Sequence, residues 1–342
     1  MEALRVLVQP GTGYDLLLSA VRLLEPRSRA RVTRAPDLAQ AASQLPPDVG
    51  DAIRAIGREP FISLLGWAHA TLETPSAKAL LDAIARSDPA ELRLAALGYH
   101  RVAMTSVTPA ATIRAAADGD AEAIREMRRS SYPRLKHWQA TLAHVLAIDP
   151  PAFRDELLAG LRGWYRAGFG DLEAGIRARA SADADVARRL LDERGLLGAI
   201  EQLAPGMTFA HEFGQDTIVL VPSVAITPGW ALTDYGRTLV IAYPVMDRDT
   251  PAAQVERLAQ LADALGDPIR IRAIRELRAG ARTTSDLARR LGVPRTSLQH
   301  HLSVLIEAGI VAMAVDDAST GRLALRAGAL DELARLATGV TA

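Results

Sequence analysis

The stretch TTSDLARRLGVPRTSLQHHLSVLIEAGIV, residues 283–311, decides the fold of this 342-residue chain. It holds two apolar-periodic segments on either side of Gly292, Val293 and Pro294. Thr284 or Ser285 can cap the first segment, and Gly292 supplies a left-handed residue just past its end. Pro294 opens the second segment at a position that tolerates a missing N–H. Two short helices joined by a glycine-containing turn form a helix-turn-helix. Ala288 is small where the two helices must approach, and Leu287, Leu291, Val293, Leu298, Leu302 and Leu305 fall where the motif buries side chains.

The flanks extend the pattern. Upstream, VERLAQLADALGDPIRIRAIREL (255–277) predicts two helices broken at Gly266-Asp267-Pro268. Downstream, VAMAVDD, ASTG and RLALR predict a strand, a turn and a strand, and GALDELARLAT predicts a closing helix. Helix, helix, helix-turn-helix, wing and helix describe a winged-helix domain over residues 251–342. The phrases LADALGDPIRIRAIREL and SDLARRLGVPRTSLQHHLSVLIEAGIV, with the wing, resemble the ArsR-type winged-helix transcriptional regulators. The resemblance spans residues 255–336, about a quarter of the chain. It implies a dimer that binds double-stranded DNA, built through the first and last helices of the domain (255–265 and 328–337), with repression as the common behaviour.

The adjacent histidines separate on a helical wheel. At roughly 100° per residue, Leu298, Leu302 and Leu305 share one face, and His301 flanks it about 60° from Leu298, a position that packs. His300 points away with Thr296, Gln299 and Ser303, so it reaches DNA or sits on a solvated face. Gln pairs bidentately with adenine, while Ser, Thr and His reach base edges or phosphates. Arg295, Thr296 and Ser297 open the helix, where a side chain or a free backbone N–H meets phosphate. Arg322 in the wing is either a phosphate or minor-groove contact or a solvated hairpin charge. Between residues 267 and 307 there are eight Arg and four acids, an excess of four positive charges in a chain of zero net charge.

Metal sensing is not expected. Metal-sensing proteins of the ArsR type carry a Cys-x-Cys-Asp-Leu phrase where this chain has Thr283-Thr284-Ser285-Asp286-Leu287, and hydroxyls are poor ligands for soft metals. A second type uses Asp and His on the closing helix, and no His follows His301.

Residues 1–204 read as helical, possessing apolar residues three and four apart behind Asp or Pro starts in PPDVGDAIRAIGRE, SDPAELRLAALGYHRV and DPPAFRDELLAGLRGWY. Residues 205–250 read as a small antiparallel sheet with connector, MTFAHEF and TIVLVPS forming a hairpin around GQD. The expected fold class is therefore mainly α with small β elements. The helical region is expected to sense an effector or to dimerise. Trp164, Tyr165 and Phe169 concentrate in an aromatic-poor chain, either lining a pocket for an apolar, non-metal effector or filling a core.

Composition limits the other classes. With no Cys there is no disulfide or thiolate chemistry. No apolar run reaches membrane-spanning length and no signal peptide opens the chain, so a cytoplasmic protein without membrane contact is expected. Gly11-Thr12-Gly13 is read as lacking a preceding strand, and Ser223 lacks a nucleophile elbow. His137 and His144 lack a carboxylate at metal-ligand spacing. No enzyme activity, cofactor or metal is expected.

Overall fold

The computed structural model describes residues 4–24, 36–133, 135–209, 215–226, 229–246, 251–280, 283–315, 322–326 and 328–341. The chain is mostly helical with small sheets, and it carries the helix-turn-helix near its C-terminus. It divides into two compact units. The first takes in described residues within 1–186, 214–227 and 231–245, and the second those within 187–213, 228–230 and 246–342.

In the first unit, strand β1 (Arg5–Val8) leads into helix α1 (Thr12–Leu23). Helices α2 (Pro36–Ser43), α3 (Pro47–Ile56), α4 (Arg58–Thr71), α5 (Ala77–Arg86), α6 (Pro89–Ala96) and α7 (Val102–Thr105) follow. Then come α8 (Ala110–Ala117), α9 (Ala121–Ser130), α10 (Lys136–Val145) and α11 (Pro150–Trp164). A π-helical turn, Tyr165–Phe169, joins α11 to the long α12 (Gly170–Leu203), which kinks at Gly195 and whose residues from 187 on belong to the second unit. The capping chemistry is local: Ser76, Asp88, Asp120 and Asp149 each accept a backbone N–H of the first turn they precede. Leu17, Leu64, Leu80, Leu97, Trp138, Phe153 and Trp164 are among the buried side chains of one continuous core.

The first unit's sheet corrects the expected antiparallel hairpin. After β2 (Met207–Phe209), strands β3 (Thr217–Ser223), β4 (Ala231–Tyr235) and β5 (Thr238–Pro244) follow, and the sheet order is β1-β3-β5-β4. β3 runs parallel to both β1 and β5; only β4 is antiparallel, through a tight turn where Gly236 takes φ 57°. Ile218–Ser223 and Leu239–Pro244 are buried without alternation. Such continuous apolar runs mark parallel strands covered on both faces, whereas a half-solvated hairpin alternates. β2 does not pair with β3 at all; it joins the second unit.

The second unit holds α13 (Pro251–Leu265), α14 (Pro268–Arg278), α15 (Thr284–Leu291), α16 (Arg295–Glu307), β6 (Val311–Val315), β7 (Arg322–Leu325) and α17 (Ala329–Thr341). Its sheet has the order β2-β6-β7: β6 and β7 form the antiparallel wing, and β2 adds a parallel third strand. Leu261, Leu277, Leu287, Leu298, Leu305, Val311 and Leu323 lie in its separate core.

Candidate nucleic-acid interface

The phrase Leu265-Gly266-Asp267-Pro268-Ile269-Arg270 is a helix junction written out in capping chemistry. Asp267 Oδ1 accepts the N–H groups of Ile269 (2.7 Å) and Arg270 (3.2 Å), and Pro268 fills the first helical position. Arg270 then turns back: its Nε donates to Ala264 O at 2.8 Å and its Nη2 to Asp263 O at 2.7 Å, closing the end of α13. One short phrase thus stops a helix, starts the next and fixes the angle between them.

Thr283, rather than Thr284 or Ser285, caps α15; its Oγ1 accepts the N–H of Asp286 at 3.1 Å. Gly292 ends the helix at φ 67°, ψ 30°, the left-handed conformation required of it, and Val293 N–H returns to Ala288 O at 3.2 Å. Pro294 occupies the N-cap of α16, one residue ahead of the helix proper. No side chain among the described residues caps α16, whose first-turn N–H groups stand at the positive end of the helix dipole.

α16 sorts its residues by face. Leu298, Leu302 and Leu305 are buried, while Arg295, Thr296, Ser297, Gln299 and His300 are exposed. Ser303 is half-buried, and its Oγ donates to His300 O at 2.8 Å. His301 turns inward as its helical position requires, its Nδ1 3.7 Å from Asp267 Oδ2. The Asp267 carboxyl, partly desolvated but serving as the α14 cap and facing His301 and Arg270, is held below the usual carboxylate range. Arg322 opens β7 opposite Ala314; its side chain and the wing tip 316–321 lie outside the described residues.

The arginine excess is partly spent inside the domain. Arg270 closes α13, and Arg289 and Arg290 both bind Asp286. The start of α15 is likewise committed within the domain: Thr283 caps, Asp286 pairs and Leu287 is core. Among the described residues, no group of three or more His, Asp or Glu side chains could hold a metal ion. Behind the interface, Arg257 on α13 donates to Glu332 on α17 (2.7 Å from Nε), Arg326 donates to the same carboxylate, and Arg326 Nε reaches Gly309 O at 2.6 Å. Desolvation would raise the Glu332 pKa, but the two guanidiniums outweigh it and hold it below the usual value.

The aromatic candidates of the first unit separate. Trp164 and Phe169 are fully buried, their rings 6.3 Å apart, and Trp164 Nε1 donates to Ser19 Oγ at 2.8 Å. Tyr165 alone of the three is partly exposed, and its hydroxyl donates to Glu173 at 2.8 Å. Gly11-Thr12-Gly13 does follow a strand, β1, contrary to the sequence reading. Its glycines serve packing: Gly13 N–H donates to Pro75 O at 2.7 Å, and a Cβ at Gly11 or Gly13 would stand 2.7 Å or 2.8 Å from that oxygen. Thr12 Oγ1 donates to Glu173 at 2.6 Å and accepts Ala77 N–H. His137 and His144 pair with separate glutamates, Glu59 and Glu156.

A protein-family model described as a helix-turn-helix domain matches residues 265–314, from the end of α13 to β6. No curated protein and no solved structure matches the chain. No helix among the described residues is long and apolar enough to cross a membrane.

Proposed function

We propose that this chain is a cytoplasmic transcriptional regulator of the ArsR type, without enzyme activity, that binds operator DNA as a homodimer and represses. The observation that carries this reading is the sorting of α16: a buried leucine seam on one side, with Arg295, Thr296, Ser297, Gln299 and His300 exposed at and after an uncapped helix start. Such a helix enters the major groove with its N-terminal residues on base edges. Gln299 and His300 read bases, Arg295 and the first-turn N–H groups hold phosphate, and the wing brings Arg322 to the neighbouring backbone or minor groove.

Dimerisation through α13 and α17 is supported by their mutual packing and by apolar side chains left outside, Val255 at 50% and Leu330 at 52% exposure. Two recognition helices then meet half-sites about one helical turn apart. In this proposal the first unit is the sensing or dimerising region, and Tyr165 is the aromatic through which a non-metal effector would reach the buried Trp164 and Phe169. Such an effector changes DNA affinity by its differential affinity for two states of the chain.

Selection of bound duplexes from a randomised DNA library by the full-length protein tests the reading. The expected result is enrichment of an inverted repeat with half-sites about one turn apart. Recovery of unenriched sequence overturns DNA reading and leaves the winged helix as a module for protein contacts.

A further inference from the structure

The helix-turn-helix is gripped by a piece of chain that lies well upstream of it in sequence. Residues 204–209 follow α12 and precede the matched helix-turn-helix region, which begins at residue 265. Met207 N–H donates to Ala204 O at 3.0 Å, turning the chain out of α12, and β2 then lies parallel on β6 with Met207 opposite Met313, Thr208 opposite Ala314 and Phe209 opposite Val315.

The approach is close at two glycines. Gly206 has φ 87°, and a Cβ there would stand 2.7 Å from Ile306 O and 3.2 Å from Val311 O. Gly309 has φ 64°, and a Cβ there would stand 2.6 Å from Pro205 Cβ. Ile306 belongs to the last turn of α16, Val311 begins the wing, and Gly309 lies between them, its N–H on Ile306 O at 2.8 Å. One strap therefore touches the end of the recognition helix and the first wing strand together. Both glycines adopt a backbone that side-chain-bearing residues avoid, at points where the two chains leave no room for a Cβ.

We propose that residues 204–209 position the DNA-reading elements: the docked strap sets the angle between α16 and the wing, and undocking it lowers operator affinity without touching a residue that contacts DNA. This rests on the DNA-binding reading above. Gly206 and Gly309 are positioning residues in this scheme.

The test uses full-length protein and DNA duplexes selected by the wild type. Gly206→Val is expected to weaken specific binding about tenfold, within the range of remote substitutions that shift a two-state element. Paired strands stand about 4.8 Å apart, so Met207→Cys with Met313→Cys can bridge β2 to β6. The chain has no cysteine of its own. In the Gly206→Val background, oxidation of that pair is expected to restore most of the affinity and reduction to remove it again, a reversal that general damage to the fold does not show. Where Gly206→Val fails to fold, Gly309→Ala pushes Pro205 from the other side, and the same redox reversal is required of it. A wild type that does not discriminate DNA sequences sinks the DNA-binding reading and the strap with it. A discriminating wild type whose strap variants bind equally well, or stay weak with the disulfide formed, sinks the strap alone.

Discussion

The hydroxyl of Ser223 donates to Asp15 Oδ1 across 2.7 Å, joining the first turn of α1 to the end of β3 between residues 208 positions apart. The same oxygen accepts the N–H groups of Val224 at 2.9 Å and Ala225 at 3.2 Å, so one carboxylate holds the chain as it leaves the sheet. Asp15 is fully buried, and its Oδ2 has no hydrogen-bond partner among the described residues. Burial pushes its pKa up to about 7, although the three donors and the charge of Arg179 work against that rise.

A raised carboxyl pKa means the folded chain holds a proton that the unfolded chain has released. Stability from this group is therefore fully present below the unfolded value near 3.8 and is lost as pH rises to about 7. The loss is on the order of 4 kcal/mol across that window. Urea titrations at several pH values are expected to show the wild type losing stability relative to Asp15→Asn between pH 4 and 7. Parallel pH profiles for the two proteins contradict the assignment.

Glu332 behaves in the opposite sense. Its pKa is depressed by Arg257 and Arg326, so its contribution is present above the usual glutamate range and lost as pH falls through the lower folded value. Glu332→Ala leaves two largely buried guanidiniums without their partner and is expected to destabilise the second unit by about 3 kcal/mol. Thermal unfolding of the variant checks this; an unchanged midpoint shows that the triad contributes nothing.

Asp267→Ala removes the cap of α14 and the carboxylate beside His301, and is expected to lower the unfolding midpoint. Asp267→Asn keeps an oxygen for the two N–H groups and recovers most of that loss. Equal destabilisation by both substitutions, read in chemical unfolding, places the effect in the His301 pairing instead of the cap.

Gly292→Ala is expected to destabilise the helix-turn-helix by about 1–2 kcal/mol, because a Cβ is disfavoured at φ 67°. Nothing among the described residues stands within 4 Å of a Cβ at this glycine, so the cost is conformational rather than a clash. A melting curve unmoved by the substitution contradicts this reading of the turn.

The helix-turn-helix was legible because its determinants are local. Leu287, Leu298 and Leu302 are buried as helical period requires and Gly292 ends its helix, while the cap of α15 moved to Thr283 and Pro294 to the N-cap of α16. The wing hairpin of β6 and β7 was legible for the same reason, but the pairings of β1, β2 and β3 were not, because they are distant. Leu7 lies beside Val219 and Thr208 beside Ala314, and no local signal in RVLV or MTF names such a partner. GQD suggested a hairpin because a glycine between two β-rich runs is also what a hairpin looks like. Asp15 stands in the first turn of a helix, and nothing near it in sequence signals its burial against Ser223, far along the chain. In the interface, exposure of Arg295, Thr296, Ser297, Gln299 and His300 followed from helical period alone, whereas the half-buried Ser303 depended on its bond to the His300 carbonyl.

The central claim is that the outward face of α16 reads DNA. The most direct measurement is fluorescence anisotropy of full-length protein on duplexes from immediately upstream of its gene and on scrambled duplexes, across a salt series, beside a Gln299→Ala/His300→Ala variant. The account predicts tight, salt-sensitive binding to the upstream DNA, reduced about tenfold or more in the variant, with weak binding to scrambled DNA in both. Equal affinity for both duplexes, unchanged in the variant, contradicts it.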